Sequence, residues 1–309
     1  MKTKILILSA LTFSLALSFI ACKKEKEDTS NNDEVAIHSD DQSRFASEID
    51  ATANDADLTI ESSSSFTGRY QGVQGVICDA TVSVNTSGDP KTITITYDGT
   101  NCAGNRKRTG SIVISIAQNV QWKNAGASVT VNFQNLKITR VSDNKSITIN
   151  GSQTYTNVSG GLLVNLPILT TITHSITSNG LSITFDNGTQ RTWQVSKQRV
   201  FTFVNNNGVI TMTGTHTDGA VTNIAEWGTN RFGKTFTTSI TAPLIVKQDC
   251  SFRLTSGQVK HVTGGITATA TFGLDATGNP TSCPGSGTYY YKVIWTGPNG
   301  NSLTVILPY

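Results

Sequence analysis

Carboxylates are scarce over most of this chain. Residues 62–309 hold one glutamate, Glu226, and eight aspartates, Asp79, Asp89, Asp98, Asp143, Asp186, Asp218, Asp249 and Asp275. Glycoside hydrolysis needs two carboxyl groups about 5 to 10 Å apart across a cleft. Most of these aspartates stand instead in turn sequences such as SGDP, YDGT, SDNK, FDNG, TDGA and LDATG, where the side chain bonds its own backbone. Asp218 and Glu226 form the one nearby couple outside a single turn. Histidine is equally thin: His38, His174, His216 and His261 are the four, and none accompanies a nucleophile signature such as GxSxG. Most of the 27 glycines fall singly at turns and not ahead of a helix, and no phosphate-cradling loop is read. No cysteines stand at CxxC spacing and no histidine lies near one, which removes the usual zinc patterns. These absences predict a protein that is not an enzyme and uses no cofactor or metal.

Long apolar runs are missing too, with one exception. Ile5 to Ile20 follows Lys2 and Lys4 and precedes Ala21, the three parts of a secretory signal. The run is 16 residues with serines and a threonine inside it, shorter than the roughly 20 apolar residues of a spanning helix. Phe19-Ile20-Ala21-Cys22 resembles the lipobox of bacterial lipoproteins, with Phe19 where leucine is usual. The cysteine count agrees, because five in an exported chain leave one over and Cys22 has no foldable neighbourhood. Residues 1–21 are therefore read as a lipoprotein signal peptide, and Cys22 as the lipidated residue that attaches the protein to a membrane. Acyl chains contribute about 0.8 kcal/mol per buried methylene, and two chains suffice for a stable anchor. Residues 22–38 have almost no apolar content and predict a solvated acidic tether. Lys23 stands where an aspartate would retain a lipoprotein at the inner membrane, so the outer membrane is expected. Glu25, Glu27 and Asp28 resemble the acidic export tags of surface lipoproteins, and cell surface and periplasmic face both stay open.

Beyond residue 38 the chain carries one helical stripe only. Phe45, Ile49, Ala53, Ala56 and Ile60 recur at spacings of three and four, with Ser39 and Gln42 placed as a capping box. An amphipathic helix is predicted over residues 39–61. From Phe66 onward threonine, valine and isoleucine alternate at period two, in runs such as KTITITY, GSIVISI, RTWQVSKQRVFTF, KTFTTSIT, APLIVK and SLTVILP. Asp98-Gly99, Asn179-Gly180, Asn187-Gly188, Asn207-Gly208, Asp218-Gly219 and Asn299-Gly300 supply turns. Short turns between strands make antiparallel neighbours. The fold class is all-β: an antiparallel β meander over residues 62–309, forming a sandwich or a long curled sheet, with the N-terminal helix packed on it. A transmembrane barrel needs an almost wholly apolar outer face, whereas alternate positions here are Thr, Ser, Asn, Gln, Lys and Arg.

Two segments share a layout of cysteine, strand, turn, strand, Gly/Asn loop, cysteine, strand. They span residues 78–116 and 250–296. With Cys22 acylated, four cysteines remain and three pairings are possible; the repeated layout selects Cys78 with Cys102 and Cys250 with Cys283. The segments SDDQSRFASEID, ICDATVSV, ITYDGTNCAGNRKRTGSI and TAPLIVKQDCSFRLTSG resemble a family of Bacteroidota outer-membrane lipoproteins with this helix-plus-β layout. The resemblance implies anchor, export and fold, and carries no functional residue.

Charge is divided along the chain. Residues 23–61 hold twelve acids against four bases, and residues 62–309 hold eighteen Lys and Arg against nine acids. A basic head on an acidic stalk can favour anionic partners by steering. In RTWQVSKQRVFTF, the residues Arg191, Trp193, Lys197 and Arg199 share one face of a strand. That face is a candidate site for an anionic polysaccharide; the alternative is a strand running into the core with Trp193 beneath the arginine stems. No recognised nucleic-acid module is present, and no nucleic-acid partner is expected. The first functional expectation is a non-enzymatic, lipid-anchored binding or structural protein contacting anionic glycans. The second is a carrier or envelope-assembly subunit holding an apolar ligand between helix and sheet. Oligomeric state is not legible.

Overall fold

The computed structural model describes residues 27–68, 77–178, 180–283 and 287–309. The signal segment, Cys22 and its expected lipidation lie outside the described residues. A helix, α1 (Glu27–Ser62), and a further turn, α2 (Ser64–Thr67), precede the sheet. The strands are β1 (Ala80–Asn85), β2 (Lys91–Thr100), β3 (Arg106–Ile116), β4 (Ala127–Arg140), β5 (Ser146–Asn157), β6 (Thr171–Thr177), β7 (Leu181–Phe185) and β8 (Gln190–Val204). They continue with β9 (Asn207–Gly214), β10 (His216–Asp218), β11 (Val221–Thr229), β12 (Thr235–Lys247), β13 (Arg253–Thr263), β14 (Ile266–Leu274), β15 (Tyr290–Thr296) and β16 (Ser302–Pro308). Between β5 and β6 lie a 3-10 turn (Leu163–Asn165) and the short helix α3 (Leu166–Leu169).

Among the described residues all 16 strands belong to one antiparallel sheet, with β1 and β16 as its two edges. Of the two architectures expected, the long curled sheet is the one found. Period-two alternation builds it: in β2, Ile93, Ile95 and Tyr97 are buried while the threonines between them are less so, and β4 buries Val129, Val131 and Phe133 in the same way. The predicted helical stripe of Phe45, Ile49, Ala53, Ala56 and Ile60 is buried against these residues in one continuous core.

Neighbouring residues of α1 show how far the sheet curls. Asp40 pairs with Arg140 at the end of β4, while His38, half a turn away, meets His261 of β13. Those strands are six steps apart in the sheet, about 29 Å if it were flat, and a helix with its side chains is only about 10 to 12 Å across. The sheet must therefore wrap round the helix as a trough. Along β8, Arg191 meets Gln42, Trp193 meets Phe45, and Arg199 meets Asp50 and Asp57, so α1 lies lengthwise in that trough. Its exposed positions, Ile37, Asp40, Ser47, Ala51, Asn54 and Leu58, form the stripe that faces out of the open side.

Three expectations are corrected by the backbone. The helix begins at Glu27 and not near Ser39, so residues 27–38 of the expected tether are helical. The additional turns are held by Glu34 on Lys234 and by His38 on His261, contacts that only the folded sheet supplies. Asp98-Gly99 lies inside β2, and the tight turn after β8 uses Asn205 and Asn206, both left-handed, with Asn207-Gly208 opening β9. KTFTTSIT and APLIVK are one strand, β12, which changes neighbour from β11 to β9 along its length. Ala242-Pro243 falls at the changeover, where the register with β13 also shifts and a proline costs no ladder bond. The two cysteine modules close as the repeat selected: Cys78–Cys102 and Cys250–Cys283 are disulfides with Cα separations of 5.3 and 5.2 Å.

Candidate binding groove

The four residues read as a glycan site lie on the inner wall of the trough. Arg191, Trp193 and Arg199 are buried, and Lys197 is nearly so. Arg191 rests between the rings of Phe45 and Phe236, its guanidinium carbon 5.3 and 4.6 Å from their centroids, and donates to Gln42 Oε1 at 2.8 Å. Lys197 forms an ion pair with Glu226, which also accepts from Trp193 Nε1 at 3.1 Å and Gln42 Nε2 at 2.6 Å. Burial pushes the Glu226 carboxyl up, but Lys197 and these donors outweigh it and hold the pKa below its ordinary value. Lys197 is depressed by burial and raised on balance by Glu226. Glu226 is thus a structural anion beneath the helix, and Asp218 is exposed on the β10 hairpin, so the two form no acid pair. None of the four β8 side chains is presented to an external polymer.

The charge division has the same cause. Glu34, Asp40, Asp41, Glu48, Asp50, Asp55 and Asp57 of α1 pair with Lys234, Arg140, Arg231, Arg106, Arg199 and Arg108 of the sheet side. Arg108 takes Asp79 with two nitrogens at 2.7 and 2.6 Å and Asp55 at 2.6 Å, and lies over Tyr97 at 4.3 Å. The basic character of the head is largely the counterpart of its own helix.

An open groove lies beside the C-terminal half of α1. It has a volume of about 570 Å³ and runs between Asn54 and Leu58 of α1, Leu163 and Val164 ahead of α3, Ile210 and Met212 of β9, Val246 of β12 and Phe252 beyond it. Ligand sites commonly fall between about 300 and 1,000 Å³. Leu163, Phe201 and Ile210 of its lining belong to the second apolar cluster, which continues into Leu166, Ile172 and Phe203. Phe252, in a left-handed backbone conformation after β12, is 61% exposed, and Leu58 and Val164 are exposed at the rim. The polar lining is Asp50, Asp57, Glu61, Asn54, Ser62 and Arg199. Arg199 reaches Asp57 at 3.3 Å and Asp50 at 3.5 Å, and its Nε has no acceptor. Burial raises the Asp57 pKa to about 6 against the pull of Arg199. His174, edge-on to Phe201 at 5.0 Å, is lowered to about 4 by burial and by Arg199. No periodicity in the sequence announces the groove. Its one local signal is GGLLVNLPIL, an apolar run between two strands that fits neither strand.

Among the described residues the one cluster with metal-ligand spacing is Asp249, Cys250 and Cys283, and its sulfurs are joined as a disulfide, which leaves no thiolate. No described helix is long and apolar enough to cross a membrane, which says nothing of strands. No family model matches the chain, and neither a curated protein nor a solved structure matches it.

Proposed function

We propose that this chain is a non-enzymatic, lipid-anchored envelope protein that holds an apolar chain in the groove between α1 and the curled sheet. The observation that carries the reading is the groove itself. It has an apolar floor and rim, with Leu58, Val164 and Phe252 left in contact with water, and apolar surface is removed from water at about 25 cal/mol per Å² when a ligand covers it. The anchor rests on the signal-like residues before Cys22, the outer-membrane address on Lys23 after it, and a place among Bacteroidota lipoproteins on the resemblance of SDDQSRFASEID, ICDATVSV, ITYDGTNCAGNRKRTGSI and TAPLIVKQDCSFRLTSG. The helix-paired charges withdraw the main support for an anionic glycan, so the carrier reading is preferred.

A fluorescent apolar probe titrated onto the protein tests this. Saturable binding near one probe per chain is expected. Val246→Trp, which fills the groove from β12, should abolish it with the thermal midpoint retained. Probe binding that survives Val246→Trp, or none in the parent, refutes the carrier reading. Intact-mass measurement of the cell-extracted protein, without an acyl increment at Cys22, would remove the anchor independently.

A further inference from the structure

We propose that the end of the molecule around the groove mouth docks on a lipid bilayer. Five apolar side chains are left in water there, on three separate connections: Val164, Ile168 and Leu169 between β5 and β6, Val204 at the turn out of β8, and Phe252 between β12 and β13. Ile168 is 83% exposed and Val204 53%. The three connections meet. Phe203 N–H donates to Thr170 O at 3.1 Å, Gly208 N–H donates to Gln248 Oε1 at 2.7 Å, and Val164 and Phe252 line the same groove. Apolar residues exposed singly are ordinary, whereas a group of them marks a surface for a protein or a membrane.

The chemistry of this end favours a bilayer. Residues 146–185 and 200–217 contain no Asp, Glu, Lys or Arg, so two of the three connections bring no charged side chain of their own toward the apolar layer, where one is costly. The turns also bond their own backbone: Asn165 N–H to Leu162 O and Thr170 N–H to Leu166 O, both at 2.8 Å, Ser251 N–H to Gln248 O at 3.0 Å, and Phe252 N–H to Lys247 O at 2.9 Å. Backbone groups satisfied in this way can leave water, which a bilayer demands of them. A fluid bilayer admits side chains from separate loops without a shaped pocket for each, which the close-packed core of a protein interface would have to supply. Near Phe252 the charges are of both signs, Lys247, Asp249 and Arg253, so the attraction is apolar and not electrostatic. Docking stands apart from the carrier reading; only the passage of an apolar chain from bilayer to groove rests on it.

Flotation with phosphatidylcholine vesicles tests docking, using the chain from residue 22 onward with Cys22→Ser, which keeps every described residue and removes any acyl group. The protein is expected to float with the vesicles, equally at low and high salt. Ile168→Ser and Phe252→Ser, both at exposed side chains, should each lower the partition coefficient by about tenfold with the thermal midpoint unchanged. Val246→Trp, which fills the groove, should float like the parent. No flotation, flotation lost in salt, or flotation that both serine variants leave intact overturns the proposal. So does a concentration-dependent dimer that Ile168→Ser dissociates, since a second copy would then cover this end. Flotation lost in Val246→Trp also overturns it, because lipid would then be held by the groove and not by the loops. Flotation retained by a protein that binds no apolar probe refutes the carrier reading and leaves the docking surface in place.

Discussion

Mild acid should loosen this fold through its buried histidines. His38 and His261 face each other across the helix–sheet contact with their Nε2 atoms 2.7 Å apart, an arrangement in which one ring donates and the other must accept. Thr238 Oγ1 contacts His261 Nδ1 at 2.7 Å, and Phe236 stacks on the ring at 5.5 Å. Burial first, then the partner ring and Arg191, lower His38 to about 3, and burial with Arg191 lowers His261 to about 4, against an ordinary value of 6.5. His174 is held at about 4. The folded state keeps these rings neutral, whereas the unfolded chain takes up protons below about pH 6.5, so stability is full above neutrality and falls as pH drops toward 4.

At pH 5 an unfolded histidine gains roughly 2 kcal/mol from protonation, so three rings cost the fold about 6 kcal/mol. Asp57 acts in the opposite sense. Its folded pKa near 6 lies above the unfolded 3.8, which returns about 1 kcal/mol at pH 5. A net loss of about 5 kcal/mol is a large share of a domain stability of roughly 5 to 15 kcal/mol. Urea unfolding followed by tryptophan emission is a suitable assay, since Trp193 is fully buried and packs on Phe45 at 4.9 Å. The urea midpoint should fall steadily between pH 7.5 and 5, and a His38→Gln, His261→Gln double variant should show a shallower fall. A midpoint that does not move over this range refutes the assignment of buried neutral rings at the helix contact.

Three further perturbations act on other parts of the fold. Arg108→Met leaves Asp79 buried and unpaired and should cost about 3 to 5 kcal/mol in urea denaturation; a loss under about 1 kcal/mol would show the cluster to be solvated. Lys197→Met alone should be similarly damaging through the stranded Glu226, while Lys197→Met with Glu226→Leu should recover most of the loss, a coupling measured by the double-mutant cycle. Replacing either cysteine pair by serine opens a loop of sequence separation 24 or 33, worth about 3 to 4 kcal/mol in the chain-entropy model. Alkylation without reductant should find none of these four thiols free.

The strand neighbours over β1 to β5 and β11 to β16 and the disulfides were legible because their signals are local, whereas β6 and β7 both stand between β5 and β8, and β9 and β11 both between β8 and β12. Threonine alternating with isoleucine fixes which side chains turn inward, short turns fix antiparallel neighbours, and the repeated cysteine layout fixes the pairing. The start of α1 was not legible, because Glu34 and His38 acquire their partners, Lys234 and His261, from about two hundred residues along the chain. Whether Arg191, Lys197 and Arg199 are displayed or run into the core stayed open for the same reason: a strand's alternation names its two faces but not which one a distant helix will cover. The groove depends on a turn after β5, a helix end and the residue Phe252 coming together, and no spacing in the sequence connects those three.

The helix is better regarded as a wall of the head than as a stalk beneath it. Without α1 the trough would present Arg108 and Arg199 without their helix carboxylates, and Ile93, Ile95, Ile112 and Ile114 without the apolar stripe that covers them. Arg108 would keep Asp79 alone and Arg199 neither Asp50 nor Asp57, so the inner wall would lose the anions that the helix delivers to it. The acids concentrated in the first sixty residues are there because the sheet curls its basic side chains inward and needs anions delivered to the middle of the trough. Asp40 and Asp50, at the edges of that arrangement, keep 44% and 48% of their side chains exposed.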